Sequence, residues 1–376
     1  IFTGGTGTIN TMNGGNQYIK GSGIIDVMTS GEQSISSGAA GTINTMSGGS
    51  QNVNGGTGTV STMSGGNQNI FTGGTGTINT MNGGNQYIKG SGIIDVMTSG
   101  EQSISSGGIG TIGSLEYSYQ QISGGTGTIS YMSFGDQTIY SGGTGIVELN
   151  DYGVQQISSG GTGMISTMMN RGCYQWISSG GTGTISSLQG GEQDVSSGGT
   201  ALDTVIAGGT QTVRSGAVVS GATLSAGIQQ VYDGTNLNNI TFAGGTQAVM
   251  SGAAVIGMQV AAGQQRVENG GTAINTEIGT GGSLQLSSGG IISSLTLTSG
   301  SLELENINGG SFTVSGTLTA NNATVDMTDS SIKTRRTYCG LRKPDHRQAE
   351  RQRYYLCYGY RPVRRGQQRQ NNDHRC

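Results

Sequence analysis

The 376-residue chain has little proline, few aromatic side chains and few charges, with 2 Pro, 5% aromatic and 10% charged residues. Its apolar content of 32%, with so little aromatic bulk, leaves too little large apolar surface for a compact globule of this length. This composition argues against a doubly wound α/β enzyme. The absence of a Gly-X-Y register excludes collagen, and no apolar run approaches the roughly 18 residues of a membrane-spanning helix. Because the sequence starts inside a repeat, we expect it to be a piece of a longer protein.

Glycine is the residue present in excess, with 73 copies. Its share is far above the roughly 7% of average proteins, yet Gly and Pro together stay below the roughly 25–30% typical of non-periodic low-complexity chains. We therefore expect the glycines to occupy fixed structural positions.

Charge divides the sequence into two parts. Residues 1–332 contain 5 Lys and Arg and 18 Asp and Glu, a net charge of −13, whereas residues 333–376 contain 13 and 3, a net charge of +10. Both prolines, both histidines and three of the four cysteines also lie in the second part. Such an abrupt change predicts that residues 333–376 are a disordered basic tail, translated in a shifted reading frame and not native to this protein.

The first part is a repeat array. Residues 1–38 recur unchanged as residues 70–107, and a finer period of about 18 residues is marked by Gln, one variable residue, then Ile or Val. A fixed period of this length predicts a solenoid. The glutamines of this marker are Gln17, Gln33, Gln51, Gln68, Gln86, Gln102, Gln120, Gln137, Gln155, Gln175, Gln193, Gln211, Gln229, Gln247 and Gln265.

Each period contains two short apolar segments separated by glycine pairs, such as Ile9 with Met12 and then Gln17-Tyr-Ile19. Short segments rich in Ile, Val and Thr and bounded by Gly are typical of strands, and a glycine pair in every period suits repeated corners. We therefore predict an all-β chain, a parallel β-helix of about 18 residues per rung. Residues 1–280 should form regular rungs, and residues 281–332, where the glutamine marker fades, should form altered rungs.

The glutamine marker also predicts which side chains point inward. Residues two apart in a strand share a face, so Gln17 and Ile19 lie on one face and Tyr18 on the other. If Ile points into the core, Gln does too, and stacked inward amides can form a hydrogen-bonded ladder along the axis. The middle residue then faces solvent and is free to vary.

Residues 1–332 contain no His and a single Cys, Cys173, which we interpret as a small packing residue. The sequence therefore offers no Cys-His pair, Ser-His-Asp set or zinc spacing, and we predict no catalytic, cofactor-binding or metal-binding residues. Gly4-Gly-Thr-Gly7 looks like a calcium-binding nonapeptide, but Ile9 stands where the Asp ligand belongs. The chain is thus predicted not to be an enzyme.

Two alternatives stay open at this stage. A polysaccharide-processing β-helix would need clustered acids, and the carboxylates here are scattered, although different rungs can supply partners. An ice-binding solenoid would use a regular Thr-x-Thr face, and Thr-Gly-Thr recurs, for example at Thr6 to Thr8 and Thr126 to Thr128, but the series is broken at Ile146 and Met164. Thr as a strand former beside a glycine corner is the favoured interpretation.

The tandem Gly-Gly-Thr, Gln-x-Val/Ile and Ser-Ser-Gly-Gly units, as in Gln193-Asp-Val-Ser-Ser-Gly-Gly-Thr200, resemble the repeats of AIDA-type self-associating autotransporter adhesins. The resemblance covers roughly residues 1–330. It implies a right-handed β-helix that forms the passenger domain on the surface of a Gram-negative bacterium, held in the outer membrane by a barrel domain that is absent from this sequence. It also implies adhesion, autoaggregation and biofilm formation, with like passengers on neighbouring cells and host-cell surfaces or glycans as partners.

The same resemblance implies O-linked heptose on serines, and hence a bacterial heptosyltransferase as a further partner. The matching serines follow the Gln-x-Ile segment in pairs: Ser36, Ser37, Ser105, Ser106, Ser158, Ser159, Ser178, Ser179, Ser196 and Ser197. A corner serine can instead hydrogen-bond local backbone, which is the structural alternative at each position. Arg and Tyr interleave in the basic tail, as they do in nucleic-acid arms, but a frameshift explains the tail better and no nucleic-acid partner is predicted.

Overall fold

The computed structural model describes residues 1–298, 301–305, 313–320, 324–327 and 352–355. Within these residues all regular structure is β, which confirms the predicted fold class. The chain forms two compact units, the first made of Ile1–Thr223 with Thr235–Asn239 and the second of Leu224–Gly234 with the described residues from Ile240 onward.

The strands are short and evenly spaced. In chain order they begin with β1 (Thr6–Ile19), β2 (Ser22–Ile35), β3 (Ala40–Met46), β4 (Ser50–Val53), β5 (Thr57–Met63), β6 (Asn67–Ile70), β7 (Thr75–Ile88), β8 (Ser91–Ile104), β9 (Ile109–Glu116), β10 (Tyr119–Ile122), β11 (Thr126–Ser133), β12 (Asp136–Ile139), β13 (Thr144–Asp151), β14 (Val154–Ile157), β15 (Thr162–Met168) and β16 (Tyr174–Ile177). They continue with β17 (Thr182–Leu188), β18 (Glu192–Val195), β19 (Thr200–Leu202), β20 (Val205–Val213), β21 (Val218–Ser220), β22 (Thr223–Val231), β23 (Asn236–Asn238), β24 (Thr241–Phe242), β25 (Thr246–Val249), β26 (Ala254–Ile256), β27 (Gln259–Val267), β28 (Thr272–Ser287), β29 (Ile291–Leu297), β30 (Ser301–Glu305), β31 (Thr313–Ala320), β32 (Thr324–Met327) and β33 (Gln352–Tyr355).

Strands of successive rungs pair in parallel, which is the pairing of a solenoid. In the first unit the longer strands form one ladder, for example β3 with β5 and β5 with β7. The Gln-x-Ile strands form a second ladder, for example β4 with β6 and β10 with β12. In the second unit β25 pairs with β27 and β26 with β28, again in parallel. The predicted parallel β-helix is therefore confirmed in each unit.

The register places identical residue types above one another. Gln33 pairs with Gln51, and Gln51 with Gln68, so each rung repeats the side chain of the rung before it. In the longer strand the inward residues are Gly, Ile and Met, as at Gly41, Ile43 and Met46. Ile43 and Met46 have no exposed surface, so the core of each rung is built from a few medium-sized apolar side chains.

The marker glutamines form the predicted buried amide ladder. In the first unit each Nε2 donates to the Oε1 of the glutamine one rung earlier, from Gln33 to Gln17 at 2.9 Å through to Gln211 to Gln193 at 2.6 Å. All these glutamines except Gln17 have no exposed surface. Several also donate to backbone carbonyls, as Gln51 does to Gly41 at 3.3 Å. The buried amides are thereby paired, which removes most of the cost of taking them out of water.

The second unit shows how the ladder ends. Gln247 donates to Gln229 at 2.8 Å and Gln265 to Gln247 at 2.9 Å. The next rung places Leu284 opposite Gln265, so no further amide can donate to the Gln265 Oε1. The hydroxyl of Thr276 donates to that oxygen instead, at 3.3 Å. A buried threonine thus satisfies the last acceptor, and apolar side chains continue the core.

The middle glycine of Thr-Gly-Thr has a role that the sequence did not indicate. It lies inside a strand and points into the core; a Cβ added at Gly127 would be 2.5 Å from the Ile122 Cδ1 and 2.6 Å from the Gln120 Oε1. The glycine therefore makes room for the ladder and for the isoleucine beside it. Where Val195 replaces the isoleucine, the corresponding inward residue is Ala201, which is fully buried.

Glycine corners are also present, with one difference from the expectation. Gly38 has a φ of 71°, a backbone conformation that glycine adopts without steric cost. Strand β1, however, continues through Asn13-Gly14-Gly15, where a corner is expected, with shifts of register after Met12 and after Asn13. The rung from Gln17 to Gln33 is only 16 residues long, so the chain turns there by an irregularity within the strand.

The C-terminal predictions are only partly covered by the described residues. Strands β28 to β32 pair in parallel, and they lie within the predicted altered rungs or adjoin them. Of the predicted basic tail only Gln352–Tyr355 is described, and this strand pairs antiparallel with β32. The division at residue 280 and the shifted-frame origin of residues 333–376 stay predictions.

Breaking the ladder at one position should destabilise the fold. Gln120→Leu removes the donor to Gln102 and the acceptor of Gln137, both at 2.6 Å. Because a buried polar group without a partner costs about 1–3 kcal/mol, we expect the free energy of unfolding to fall by about 2 kcal/mol, measured by urea denaturation of the full chain. Gln121→Leu, an outward change in the same strand, is the matched control and should change it by less than about 0.5 kcal/mol. Equal effects of the two changes would contradict the role of the ladder.

Candidate functional site

The ten predicted glycosylation serines lie at the same corner of five rungs, of which the last three are consecutive. Each pair directly follows a Gln-x-Ile or Gln-x-Val strand, as Ser158 and Ser159 follow β14. The first serine continues the backbone pairing, with the Ser158 N–H donating to the Ile139 carbonyl at 2.9 Å. Its own carbonyl accepts from Gly161 at 2.9 Å and closes the turn. The backbone therefore fixes the first serine of each pair and leaves the second at the tip of the corner.

Exposure differs within the pairs. The second serines, Ser37, Ser106, Ser159, Ser179 and Ser197, are all exposed, whereas all first serines except Ser178 are half-buried. Within the described part of the chain none of the ten hydroxyls makes a side-chain hydrogen bond, so the alternative of a serine tied to local backbone is not what the structure has. These hydroxyls are available to an external group.

A stack of aromatic rings lies at a different corner. Tyr117, Phe134 and Tyr152 directly follow β9, β11 and β13, and their ring centroids are 5.2 Å and 5.0 Å apart with interplanar angles of 4° and 3°. All three have positive φ, between 47° and 69°, a region that bulky residues rarely adopt. Their exposed fractions are 66%, 52% and 42%. Stacking between rungs offsets part of the backbone strain, and the result is an exposed aromatic ridge.

Cys173 supports the end of this ridge. Its Sγ accepts from the Tyr152 N–H at 3.0 Å and donates to the Asn150 carbonyl at 3.3 Å, and its side chain is fully buried. The expectation of a small packing residue is confirmed.

Asp194 and Asp151 each bond to a separate partner and do not form a cluster. Asp194 accepts three hydrogen bonds from the Arg214 guanidinium, at 2.6 to 2.9 Å, and Asp151 accepts from the Tyr131 hydroxyl at 2.9 Å. This bond to Asp151 raises the pKa of Tyr131, because it favours the protonated phenol.

In the described residues no three side chains of His, Cys, Asp or Glu come together as a metal site would require. The described part of the chain also contains no helix of the length and apolarity needed to cross a membrane.

The threonine face is mixed. The outward positions on either side of the inward glycine pair with one another along the longer strands, for example Thr126 with Ile109 and Thr144. Apolar side chains interrupt both columns, at Ile109 before the glycine and at Ile24, Ile93, Ile146 and Met164 after it. The surface is therefore not the uniform threonine array that would favour ice binding.

Sequence reasoning did not identify the aromatic ridge. Its members are 17 and 18 residues apart, which is one rung, so an aromatic residue recurring at the rung period was the available signal. A second surface feature was also missed, a cleft of about 100 Å³ beside Phe71, Tyr87 and Lys89. It combines residues from consecutive rungs that only the register brings together.

Comparison with known proteins finds similarity among solved structures. No family model and no curated protein matches the sequence. Among solved structures, the chain is similar to a fragment of TibA, residues 55–350 in that protein's numbering, hyper-glycosylated in a reaction catalysed by TibC. The two share 25% sequence identity, with 85% of this chain and 99% of the fragment covered and a TM-score of 0.44.

The effect of Asp136 on the stability of the fold should depend on pH. Burial raises the pKa of this carboxyl above its ordinary value, because the partly dry site disfavours the charged form. Above the folded-state pKa the ionised carboxylate of Asp136 therefore lowers the free energy of unfolding. Below the unfolded-state pKa the carboxyl is protonated in both states, and this effect disappears. We expect Asp136→Asn to stabilise the chain at pH 7 and to have no such effect near pH 3, measured by urea denaturation at both values. Equal effects at the two pH values would contradict this account.

Proposed function

We propose that this chain is part of the surface-exposed passenger of an AIDA-type autotransporter adhesin, anchored at the outer membrane in the full-length protein. In this role it mediates cell adhesion, autoaggregation and biofilm formation by contact with like passengers and with host-cell surfaces. The observation that carries the proposal is the repeat itself: rungs with the family's Gly-Gly-Thr, Gln-x-Ile and Ser-Ser-Gly units stack in register over a buried amide ladder. The function is thus that of a structural surface protein.

The organisation of the surface supports an adhesive role. The core positions repeat from rung to rung, while the middle residue of the marker varies, for example among Tyr18, Ser34, Asn52, Asp194 and Arg266. Because the core residues are constant and the outward residues vary, the solenoid presents extended surfaces and not one enclosed pocket. Such repeated faces suit many weak contacts acting together, because linked contacts add avidity without any strong single site.

The aromatic ridge is our candidate for the contact between like passengers. Tyr117, Phe134 and Tyr152 expose aromatic surface in a chain with 5% aromatic residues, and aromatic side chains supply much of the binding energy at protein interfaces. Their faces are covered by one another, so an approaching molecule meets a row of ring edges. A second copy of the chain presents the same row and would give a self-complementary contact.

Surface display tests the proposed function. We expect non-aggregating bacteria that display the chain to clump with one another but not with labelled cells that lack it, measured by sedimentation and two-colour microscopy. Replacing Tyr117, Phe134 and Tyr152 by glycine should reduce clumping, because it removes the ridge while glycine accepts the positive φ without strain. The fold should survive, since aromatic pairs contribute only about 0.5–1.5 kcal/mol each.

The matched control removes exposed aromatic residues that lie outside the stack. Tyr119→Ser, Tyr140→Ser and Trp176→Ser, made together, remove similar exposed ring surface in the same region and should leave clumping intact. Displayed cells that never clump or adhere would contradict the adhesive function. Clumping that survives the glycine variant would contradict the ridge as its site.

We also propose O-linked heptose on the corner serines, added by a bacterial heptosyltransferase. The hydroxyls of the second serines are exposed and project from a turn that the backbone of the first serine closes. A transferase can therefore reach them without unfolding a rung.

Mass spectrometry of the full chain, co-expressed with a heptosyltransferase, tests this proposal. We expect heptose increments that fall sharply when the second serines are changed together to alanine, because these are the exposed members of each pair. The same change at the first serines is the matched control and should remove fewer increments. A chain without any increment would contradict the modification, and equal losses would contradict the preference for the second position. The second serines are Ser37, Ser106, Ser159, Ser179 and Ser197.

A further inference from the structure

The cleft in the first unit brings together side chains of different chemistry from three rungs. Phe71, Lys89 and Ser105 directly follow β6, β7 and β8, and the Lys89 N–H donates to the Ile70 carbonyl at 2.7 Å while that of Ser105 donates to the Ile88 carbonyl at 2.9 Å. They therefore lie one above another at one corner. The last two residues of β6 and of β7 complete the lining: Asn69, Ile70, Tyr87 and Ile88.

The cleft is aromatic on two sides and open to solvent. Phe71 is 42% exposed and Tyr87 is 43% exposed, so each ring keeps accessible surface. The volume of about 100 Å³ is smaller than the roughly 300–1,000 Å³ of enclosed ligand pockets. It therefore suits one ring-sized group that stays partly in water.

Lys89 gives the cleft its charge. Residues 1–332 have only five Lys and Arg residues, and the two described ion pairs are made by Arg214 and Arg266. Lys89 is exposed and takes no carboxylate partner within the described residues. A lysine ammonium supplies three donors, and its hydrogen bonds to an ionised acceptor such as a carboxylate are stronger than those to a neutral acceptor. The net negative charge of the surrounding residues is screened beyond about 8 Å at physiological salt.

The remaining polar groups suit a polyhydroxylated ligand. The Ser105 hydroxyl can donate and accept, and the Asn69 carbonyl oxygen can accept. The Asn69 Nδ2 donates to the Asn52 Oδ1 at 2.7 Å, which holds this amide in place. Aromatic rings that cover the apolar C–H face of a sugar, with an amide and a hydroxyl beside them, form a pattern suited to carbohydrate.

The same residues occur twice in the first unit. The identical blocks 1–38 and 70–107 give Phe2, Tyr18, Lys20 and Ser36 as counterparts of Phe71, Tyr87, Lys89 and Ser105. The marker glutamines place the two sets four rungs apart, or roughly 19 Å at the usual strand spacing. Two weak sites at a fixed distance on one unit can engage one chain of sugars together, which multiplies a small affinity.

We propose that the cleft at Phe71, Tyr87 and Lys89 binds a carboxylated sugar residue of a cell-surface glycan, and that the repeated set Phe2, Tyr18 and Lys20 adds a second, more exposed contact of the same chemistry. The ammonium holds the carboxylate, the aromatic rings cover the sugar face, and Ser105 and Asn69 bond its hydroxyls. The cellular role of this binding rests on the proposed adhesive function, whereas the binding itself is a property of the isolated chain. Because Ser105 lines the cleft, heptose on this serine would block it.

The test uses the full chain, purified from a host without heptosyltransferase, and three probes followed by ligand-observed NMR. D-glucuronic acid carries both sugar and carboxylate, D-glucose the sugar alone and acetate the carboxylate alone. We expect glucuronic acid to bind about tenfold more tightly than either of the others. Equal binding of glucose would overturn the role of the charge, and equal binding of acetate would overturn the role of the sugar.

Paired substitutions locate the binding. Lys20→Gln with Lys89→Gln should weaken glucuronic acid binding about tenfold, and Phe2→Leu with Phe71→Leu should weaken it similarly without changing acetate binding. Arg171→Gln removes an exposed charge outside the clefts and should have no effect. Lysine variants that bind like Arg171→Gln would overturn the proposal. If displayed cells clump but the chain does not bind glucuronic acid, only this inference is contradicted. If the chain binds glucuronic acid but displayed cells neither adhere nor clump, only the proposed function is contradicted.

Discussion

The buried glutamines of this core are satisfied chiefly by one another, each amide bonding to the glutamine one rung away. Each amide has a donor and an acceptor that lie along the solenoid axis, and Gln120 illustrates both, donating to Gln102 and accepting from Gln137 at 2.6 Å. An apolar neighbour would leave one of these groups unpaired at a cost of about 1–3 kcal/mol. Within a rung, the ladder determines which strand residues point inward. Between rungs it opposes any slip of register, because a slip by one residue would exchange the inward and outward faces of the strand.

The rest of the core adapts to the ladder. An inward glycine leaves space for the glutamine head and the neighbouring isoleucine or valine, as at Gly127 and Gly58, whereas Ala201 takes this position after Val195. The ladder ends where Thr276 can bond the last oxygen and Leu284 begins an apolar column. Since the interior is fixed in this way, change is concentrated at the outward positions, and the aromatic ridge, the serine corners and the lysine clefts all lie there.

Much of this architecture could be predicted from the sequence because its signals are local and periodic. The spacing of Gln17, Gln33 and Gln51 predicts the rung length, and the i to i+2 relation of Gln17 and Ile19 predicts the inward ladder. The core role of Gly127 could not be found this way, since glycine at a corner and glycine under a neighbouring side chain look alike in a sequence. The ridge and the cleft depend on the pairing of rungs, which places Tyr117 beside Phe134 and Lys89 beside Phe71.

Hydrogen exchange of the glutamine side-chain amides, followed by NMR, tests the ladder most directly. If the ladder holds the core, the carboxamide protons of Gln102, Gln120 and Gln137 should exchange on the order of a hundredfold more slowly than those of the outward Gln121 and Gln156, because exchange requires a rung to open. Equal exchange rates for the two sets would mean that the inward amides are not hydrogen-bonded to one another, and would contradict the account.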